Sequence, residues 1–204
     1  WEIPEGVTYL NHGSFGPAPR PVREAQARWT AELQRQPMEF FVRRLEGLLD
    51  ETCAALGRFV GADPRDLVLV DNATVGMNIV ARSVELKAGD QVLLTDHEYG
   101  SVHRLWQKTC QAAGAELVVR RLPWPLLEDD SARRLVEHLA ASITDRTRLL
   151  VASHVTSVTA TTLPIASICR AASQQGVPVC VDGPHAVAML PLDIEQLGCD
   201  YYTA

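Results

Sequence analysis

The 204-residue sequence has no Lys/Arg-rich run, no CxxC pair, and no apolar stretch near the roughly 18 residues that a membrane-spanning helix needs. The missing basic run, with a formal net charge of −6, speaks against a nucleic-acid or anionic-membrane surface, because both depend on clustered positive charge. A small molecule or another protein is the expected partner. The amino end, WEIPEGVTYLNHGS, has neither the basic flank nor the apolar core of an export signal, so a soluble, cytoplasmic protein is expected. Cys53, Cys110, Cys169, Cys180 and Cys199 sit mostly within apolar helical or strand patterns and read as buried, reduced thiols, with neither a zinc site nor a disulfide framework indicated. No GxGxxG follows the first strand and no GxxxxGK[ST] occurs, which removes the nicotinamide and nucleoside-triphosphate fingerprints. HGSFG (12–16) is GSxG rather than the GxSxG of a hydrolase elbow.

What remains is ordinary globular composition, 47% hydrophobic and 22% charged, which excludes a disordered chain. Pro17, Pro19 and Pro21 punctuate the entry to a helix, REAQARWTAELQRQ, with Val22, Ala25, Trp29 and Leu33 at helical spacing until Pro37. A second helix carries Phe41, Leu45, Leu48, Leu49, Thr52, Leu56 and Phe59 at three- and four-residue steps and closes at Gly61 and Pro64. From there short apolar strands alternate with helices: LVLV (67–70), QVLL (91–94), ELVV (116–119), RLLVAS (148–153), VPVCV (177–181) and DYYT (200–203). This is the pattern of a mainly parallel sheet covered by helices on both faces, a three-layer α/β/α sandwich. Residues 1–60 are expected to form an amino-terminal loop and helical extension, and 61–204 to belong to the α/β domain.

Ligands of such sheets bind outside the carboxyl ends of the strands. After LVLVD, the segment NATVGMN opens a helix with small hydrogen-bonding residues. Free N–H groups and the Thr74 hydroxyl suit a phosphate there, although Asn72 or Thr74 also suits a plain N-cap. After QVLLT come Asp96, His97, Glu98 and Tyr99, where His97 or Tyr99 suits stacking on a flat ring and the carboxylates suit capping of the next helix. His154, Thr156, Ser157, Thr159, Thr161 and Thr162 follow RLLVAS and offer hydroxyl groups, as Ser/Thr-rich turns commonly do. Asp182 ends an apolar strand, with Gly183, Pro184 and His185 beyond it. A buried aspartate calls for a cation, and a protonated pyridine nitrogen, a metal, an arginine or a helix N-terminus would each serve. Asp182, His185 and His154 are the residues a metal would use. The order of cradle, ring-stacker, hydroxyls and aspartate suits a phosphorylated aromatic cofactor.

Taken together, YLNHGSFGPAP, NATVGMN, TDHEYGS, SHVTSVTATTLPI and VDGPHAVAMLPLDIEQLGCDYYTA resemble the class V aminotransferase family of enzymes dependent on pyridoxal 5′-phosphate, fold type I. The LNHGSFG, EYG and DYYTA forms are most similar to its isopenicillin N epimerase-like branch, which also contains C–S lyase relatives. The likeness runs from about Tyr9 to Ala204. It implies that Ala73 and Thr74 hold the cofactor phosphate, and that His97, with Tyr99 as the alternative, stacks on the pyridine ring. It further implies that Asp182 pairs with the ring nitrogen, that His185 lies near the phenolic oxygen, and that Asn11, His12 and Gly13 line the substrate side. Thr156 and Ser157 fall beside the same cofactor. Ser157 stands where desulfurase-like members usually have Asn, which argues against a simple cysteine desulfurase.

In the family, DYYTA is followed closely by the lysine that forms the Schiff base, so that lysine is expected a few residues past Ala204, with a small domain beyond it. Lys87 and Lys108 lie after and inside a predicted helix and are no substitutes. The resemblance implies an amino-acid substrate, a homodimer, and epimerisation or C–S/β-elimination, with transamination or desulfuration as further enzyme readings. A non-catalytic subunit with this fold is the competing expectation if the chain has no such lysine.

Overall fold

The computed structural model describes residues 1–13, 15–123 and 130–204, which form two compact units, Trp1–Leu69 and Val70–Ala204. In the first, α1 (Arg20–Arg35) has Pro21 in its opening turn, where a missing N–H costs nothing. The chain breaks at Gln36 and re-enters helix as α2 (Pro37–Glu39). A π-helical turn, Phe40–Arg44, leads into α3 (Leu45–Val60). The single helix expected over 41–59 is therefore interrupted. Phe40 turns inward to an edge contact with Trp29, and the Arg44 guanidinium lies 5.6 Å from the Phe40 ring centre while bonding Glu32 at 2.7 Å. Gly61 closes α3 at φ 66°, and its N–H caps the Gly57 carbonyl. An apolar cavity of about 450 Å³ within this unit is lined by Trp29, Phe40, Leu45 and Leu48 among others.

The second unit is the α/β domain. Its elements are α4 (Ala73–Ser83), β1 (Gln91–Thr95), α5 (Gly100–Ala113), β2 (Glu116–Arg120), α6 (Ser131–Ala140), β3 (Thr147–Ser153), α7 (Ile165–Ser173), β4 (Val179–Asp182), α8 (Ile194–Leu197) and β5 (Tyr201–Thr203). The five strands are parallel in the order β2-β1-β3-β4-β5. Alternate residues divide the core into two layers, as strand geometry requires. Val92, Leu94, Leu149, Val151 and Cys180 pack with Met77 and Val80 of α4 and with Val102 and Trp106 of α5. Leu93, Leu150, Ala152, Val179 and Val181 pack on the opposite face with Leu135 and Leu139 of α6 and Ile165 and Ile168 of α7. The three-layer sandwich expected from the sequence is the one observed. All five cysteines are free thiols; Cys110, Cys169 and Cys180 are buried.

One predicted strand is not formed. Residues 67–70 are extended but join no ladder among the described residues, and Val68 is 77% exposed. Apolar β-branched composition favours a strand only where a neighbouring edge accepts its hydrogen bonds, and β2 and β5 occupy the sheet edges described. The strand expected at 177–181 begins two residues later, because Pro178 has no N–H to donate, although its carbonyl accepts from Leu150.

The β4–β5 end is held by a close approach. A Cβ on Gly183 would lie 2.2 Å from the ring and hydroxyl of Tyr202, so only glycine allows that ring to lie there, and the Gly183 N–H donates to the Thr203 carbonyl at 2.7 Å. Gly183→Ala in the full-length protein is therefore expected to cost about 1–3 kcal/mol in urea unfolding, the range for overpacking a filled site. An unchanged midpoint would refute the contact.

Candidate active site

The chain leaves β1 for β2 on one side and returns to β3 on the other, so the β1/β3 boundary is the topological switch point where a crevice opens at the carboxyl ends. Strand parity decides which side chains face it. Ser153, Asp182 and Thr203 are register partners on β3, β4 and β5. They continue the rows Leu149-Val151, Cys180 and Tyr201, so all three face the α4/α5 layer. The amino ends of both helices lie there, and Thr74 Oγ1 is 3.5 Å from Ser101 Oγ. Gly76 makes this approach possible, since a Cβ on it would lie 3.3 Å from Thr203 Cγ2.

Asn72 caps α4 by accepting the Val75 N–H at 3.0 Å. Ala73 and Thr74 form the first turn, with Thr74 exposed. Asp182 is 6% exposed, and among the described residues its carboxylate receives one hydrogen bond, from Thr203 Oγ1 at 3.4 Å. Burial raises its pKa to about 6 against that bond. No Lys, Arg or His forms an ion pair with it among the described residues. Such a group is costly to bury as an anion unless it keeps its proton or a cation pairs with it.

The residue that sequence reading missed is Glu98. Read from sequence as a helix cap, it instead turns into the sheet end and is 8% exposed. Its Oε1 accepts from Thr95 Oγ1 at 2.7 Å and from the Ser153 N–H at 3.1 Å, and Oε2 meets Ser153 Oγ at 2.6 Å. Burial, with the Asp182 charge adding to it, raises its pKa to about 7 in spite of those donors. No periodicity singles out this position; the only signal is an acid three residues past the Thr that ends a wholly buried strand.

The other expected residues divide. The His97 ring is fixed by Asp96 Oδ1 at 2.8 Å, and the same oxygen accepts the Leu122 N–H after β2. Burial alone would raise the Asp96 pKa, but the Leu122 amide and His97 together hold it below the usual value. His97 is thereby tied to the β2 side of β1, whereas Asp182 lies on the other side. Tyr99 precedes α5 and is 42% exposed, adjoining Gly100 and Ser101 at the crevice. The Thr156 hydroxyl is buried and spent within its own turn, on Thr159 Oγ1 at 2.7 Å and the Thr161 N–H at 2.9 Å, while Ser157 is exposed. His185 is half-buried in the turns that follow β4. On the opposite sheet face, buried His154 has Nδ1 3.0 Å from the Tyr202 hydroxyl, and burial lowers its pKa, which suits a neutral imidazole. No group of three or more His, Cys, Asp or Glu able to hold a metal occurs among the described residues. In the first unit, Asn11, His12 and Gly13 are exposed, and His12 packs between Trp1 and Tyr9.

The family model described as aminotransferase class-V matches residues 22–204. The chain belongs to the aminotransferase class-V family. Isopenicillin N epimerase of Streptomyces clavuligerus is 38% identical over 196 residues, 96% of this chain and 48% of the relative. L-Cysteine desulfhydrase of Arabidopsis thaliana is 32% identical over 98% of this chain and 46% of the relative. Among solved structures, a mutant of C-DES with glycine covalently linked to its pyridoxal phosphate cofactor superposes with a TM-score of 0.87 at 28% identity, over 98% of this chain and 52% of that one. C-DES is a cystine C–S lyase, also solved with its product cysteine persulfide. The chain thus spans about half the length of the curated relatives it matches, and its sheet is that of the fold type I enzymes.

The raised carboxyl groups fix a pH dependence. Between about 4 and about 7 the unfolded chain has lost protons that Glu98 and Asp182 retain in the folded state, so their contribution to stability falls as pH rises through that window. Urea unfolding of the full-length apoprotein is expected to show a shallower fall across this range in D182N than in wild type. Identical slopes would refute the burial assigned to Asp182.

Proposed function

We propose that this chain carries the cofactor-binding part of a pyridoxal 5′-phosphate-dependent enzyme acting at Cα or Cβ of an amino acid, by epimerisation or by C–S/β-elimination. The observation that carries the reading is Asp182: a buried carboxylate without a cationic partner among the described residues, in register with Ser153 and Thr203, beside the open first turn of α4. Both halves of the cofactor fit what is present, a phosphate at the Ala73–Thr74 turn and a ring cation at Asp182.

When bound, pyridoxal phosphate supplies an electron sink for a carbanion at the substrate Cα. The chain's own residues bind and orient it. The N–H groups of Ala73 and Thr74, with the Thr74 hydroxyl and the positive end of the α4 dipole, receive the phosphate. Asp182 holds a proton on the ring nitrogen by its charge. His97 covers the ring face, its in-plane bond to Asp96 fixing the imidazole without itself covering either face, with Tyr99, exposed at the crevice, as the alternative. His185 serves the phenolic oxygen. Ser157 supplies the hydroxyl from the β3 exit in preference to Thr156, whose hydroxyl is already bonded. Asn11, His12 and Gly13 line the substrate side. A cytoplasmic homodimer, with 1–60 as an extension of the 61–204 domain, belongs to the same reading. It is supported by the family resemblance.

The test is the affinity of the full-length apoprotein for pyridoxal phosphate. Loss of the stacking ring in H97A is expected to weaken it about tenfold and Y99A less than threefold, since stacking contacts contribute about 1 kcal/mol or more. The reverse order would give the stacking role to Tyr99, and no binding by wild type would end the reading. With turnover in D2O, deuterium at Cα of an otherwise intact amino acid identifies epimerisation, and a keto acid with released sulfide identifies C–S elimination.

A further inference from the structure

We propose that Glu98 is a positioning residue that latches β1 to β3 at the switch point and works in its neutral, proton-bearing form, leaving Asp182 as the buried anion of the site. The inference rests on the cofactor reading above, and it deepens that reading by assigning a residue that touches neither ring nor phosphate.

The geometry favours one arrangement of protons. The His97 N–H donates to Thr95 Oγ1 at 3.2 Å, which leaves the Thr95 hydroxyl hydrogen for Glu98 Oε1 at 2.7 Å. The Ser153 N–H, which has no alternative role as acceptor, also points at Oε1. Oε1 is thus filled by two donors, and any proton on the carboxyl group sits on Oε2. There the partner is Ser153 Oγ at 2.6 Å, a hydroxyl able to accept as readily as donate, at a separation suited to a short O–H···O bond. With Oε2–H donating, the Ser153 hydroxyl hydrogen is released to point into the crevice.

Electrostatics select this arrangement over an ionised one. Glu98 and Asp182 are both buried, flank Ser153, and have no cationic partner among the described residues. Two anions so placed repel each other without compensation, and a single shared charge is the economical state. Asp182 ends its strand facing the crevice where a cationic ring nitrogen binds, whereas Glu98 is enclosed by Thr95 and Ser153. A ring cation therefore draws the charge to Asp182 and leaves the proton on Glu98. The latch matters because Ser153 is the register partner of Asp182: fixing Ser153 to the β1 exit fixes the carboxylate that meets the ring.

Glu98→Gln reproduces the neutral acid, with its amide oxygen accepting from Thr95 and the Ser153 N–H and its NH2 donating to Ser153 Oγ; Glu98→Ala removes all three bonds. In the full-length protein, E98Q is expected to bind pyridoxal phosphate within about threefold of wild type and E98A about tenfold or more weakly, the loss of hydrogen bonds that leave buried groups unpaired. Affinity in E98Q reduced as far as in E98A would mean that Glu98 acts as an anion, and unchanged affinity in E98A would mean that it positions nothing; either overturns the proposal. If E98A does not fold, T95V, which deletes a donor to Oε1, and S153A, which deletes the acceptor of the Oε2–H, replace it. Both are then expected to weaken binding about threefold, and no change in either overturns the latch. The proton is read directly: the infrared difference between wild type and E98Q apoprotein at about pH 6 is expected to contain the stretch of a buried protonated carboxyl, and its absence overturns the neutral form, since burial raises Glu98 to about 7. That arm needs no cofactor, so a wild-type protein that binds no pyridoxal phosphate but shows the band would refute the functional reading and leave the neutral latch standing.

Discussion

Two carboxyl groups enclosed at the end of a parallel sheet, with no cation beside them among the described residues, are the constraint on which the rest of this site turns. Burying an unpaired charge is costly enough that a fold keeps it only where something else resolves it. Here the resolution is divided. Glu98 is surrounded by donors that belong to the strands it joins, so it is resolved within the fold. Asp182 has one long bond from Thr203 and faces the crevice, so it is resolved from outside. The same burial that makes two such groups costly as anions would, under the proposed function, make Asp182 a strong attractor for a ring cation once a ligand excludes water.

The geometry that brings these groups together follows from strand parity and from two glycines. Because side chains alternate, Ser153, Asp182 and Thr203 share a face only as long as β3, β4 and β5 keep their register, and that face is the one α4 and α5 cover. Gly76 lets the first turn of α4 sit against Thr203, whose hydroxyl bonds Asp182, so the amino end of α4 and the carboxylate belong to one crevice. Gly183 does the corresponding work on the other side of the sheet. It admits the Tyr202 ring, which meets His154, and so ties the β4 exit to β5 just below Asp182. The site is therefore held from both faces by positions where side chains are missing.

How much of this is legible in the sequence depends on whether the deciding physics is local. The strands at 91–94, 116–119 and 148–153 and the helices between them are local, because apolar runs and helical periodicity are written in consecutive residues. The position of Asp182 at a strand end is equally direct. Residues 67–70 defeat the same logic: Val68 and Leu69 have strand composition, but a strand is a relation to a neighbour, and none is present among the described residues. Glu98 fails for the same reason in reverse. Its sequence neighbours Asp96, His97 and Tyr99 suggest a polar loop, while its bonding partner Ser153 is 55 positions away and carries no mark of the pairing. His97 and Tyr99 show the intermediate case, where residue type offers both as candidate ring-stackers and only the orientation that Asp96 gives the His97 ring, which no sequence pattern shows, separates them.

The division between buried and exposed residues also locates where members of such a family diverge in chemistry. Thr95, Glu98, Ser153, Asp182 and Thr203 are buried at the sheet end, Thr95 and Ser153 bonded to Glu98 and Thr203 to Asp182, and under the proposed function they would serve what every reaction on this cofactor shares. Changing any of them disturbs strand pairing as well as the ligand, so they are poor places to alter what happens to a substrate. Ser157 and Asn11 to Gly13 are exposed, and His185 is half-buried in a turn. They can change without repacking a core, and they lie on the segments assigned to the phenolic oxygen and the substrate. Whether a carbanion at Cα is reprotonated or expels a group from Cβ is decided by what surrounds the substrate rather than by what holds the ring. Under the proposed function, the choice between epimerisation and elimination would therefore belong to these exposed positions and to the groups that face them, and not to the polar row that closes the sheet.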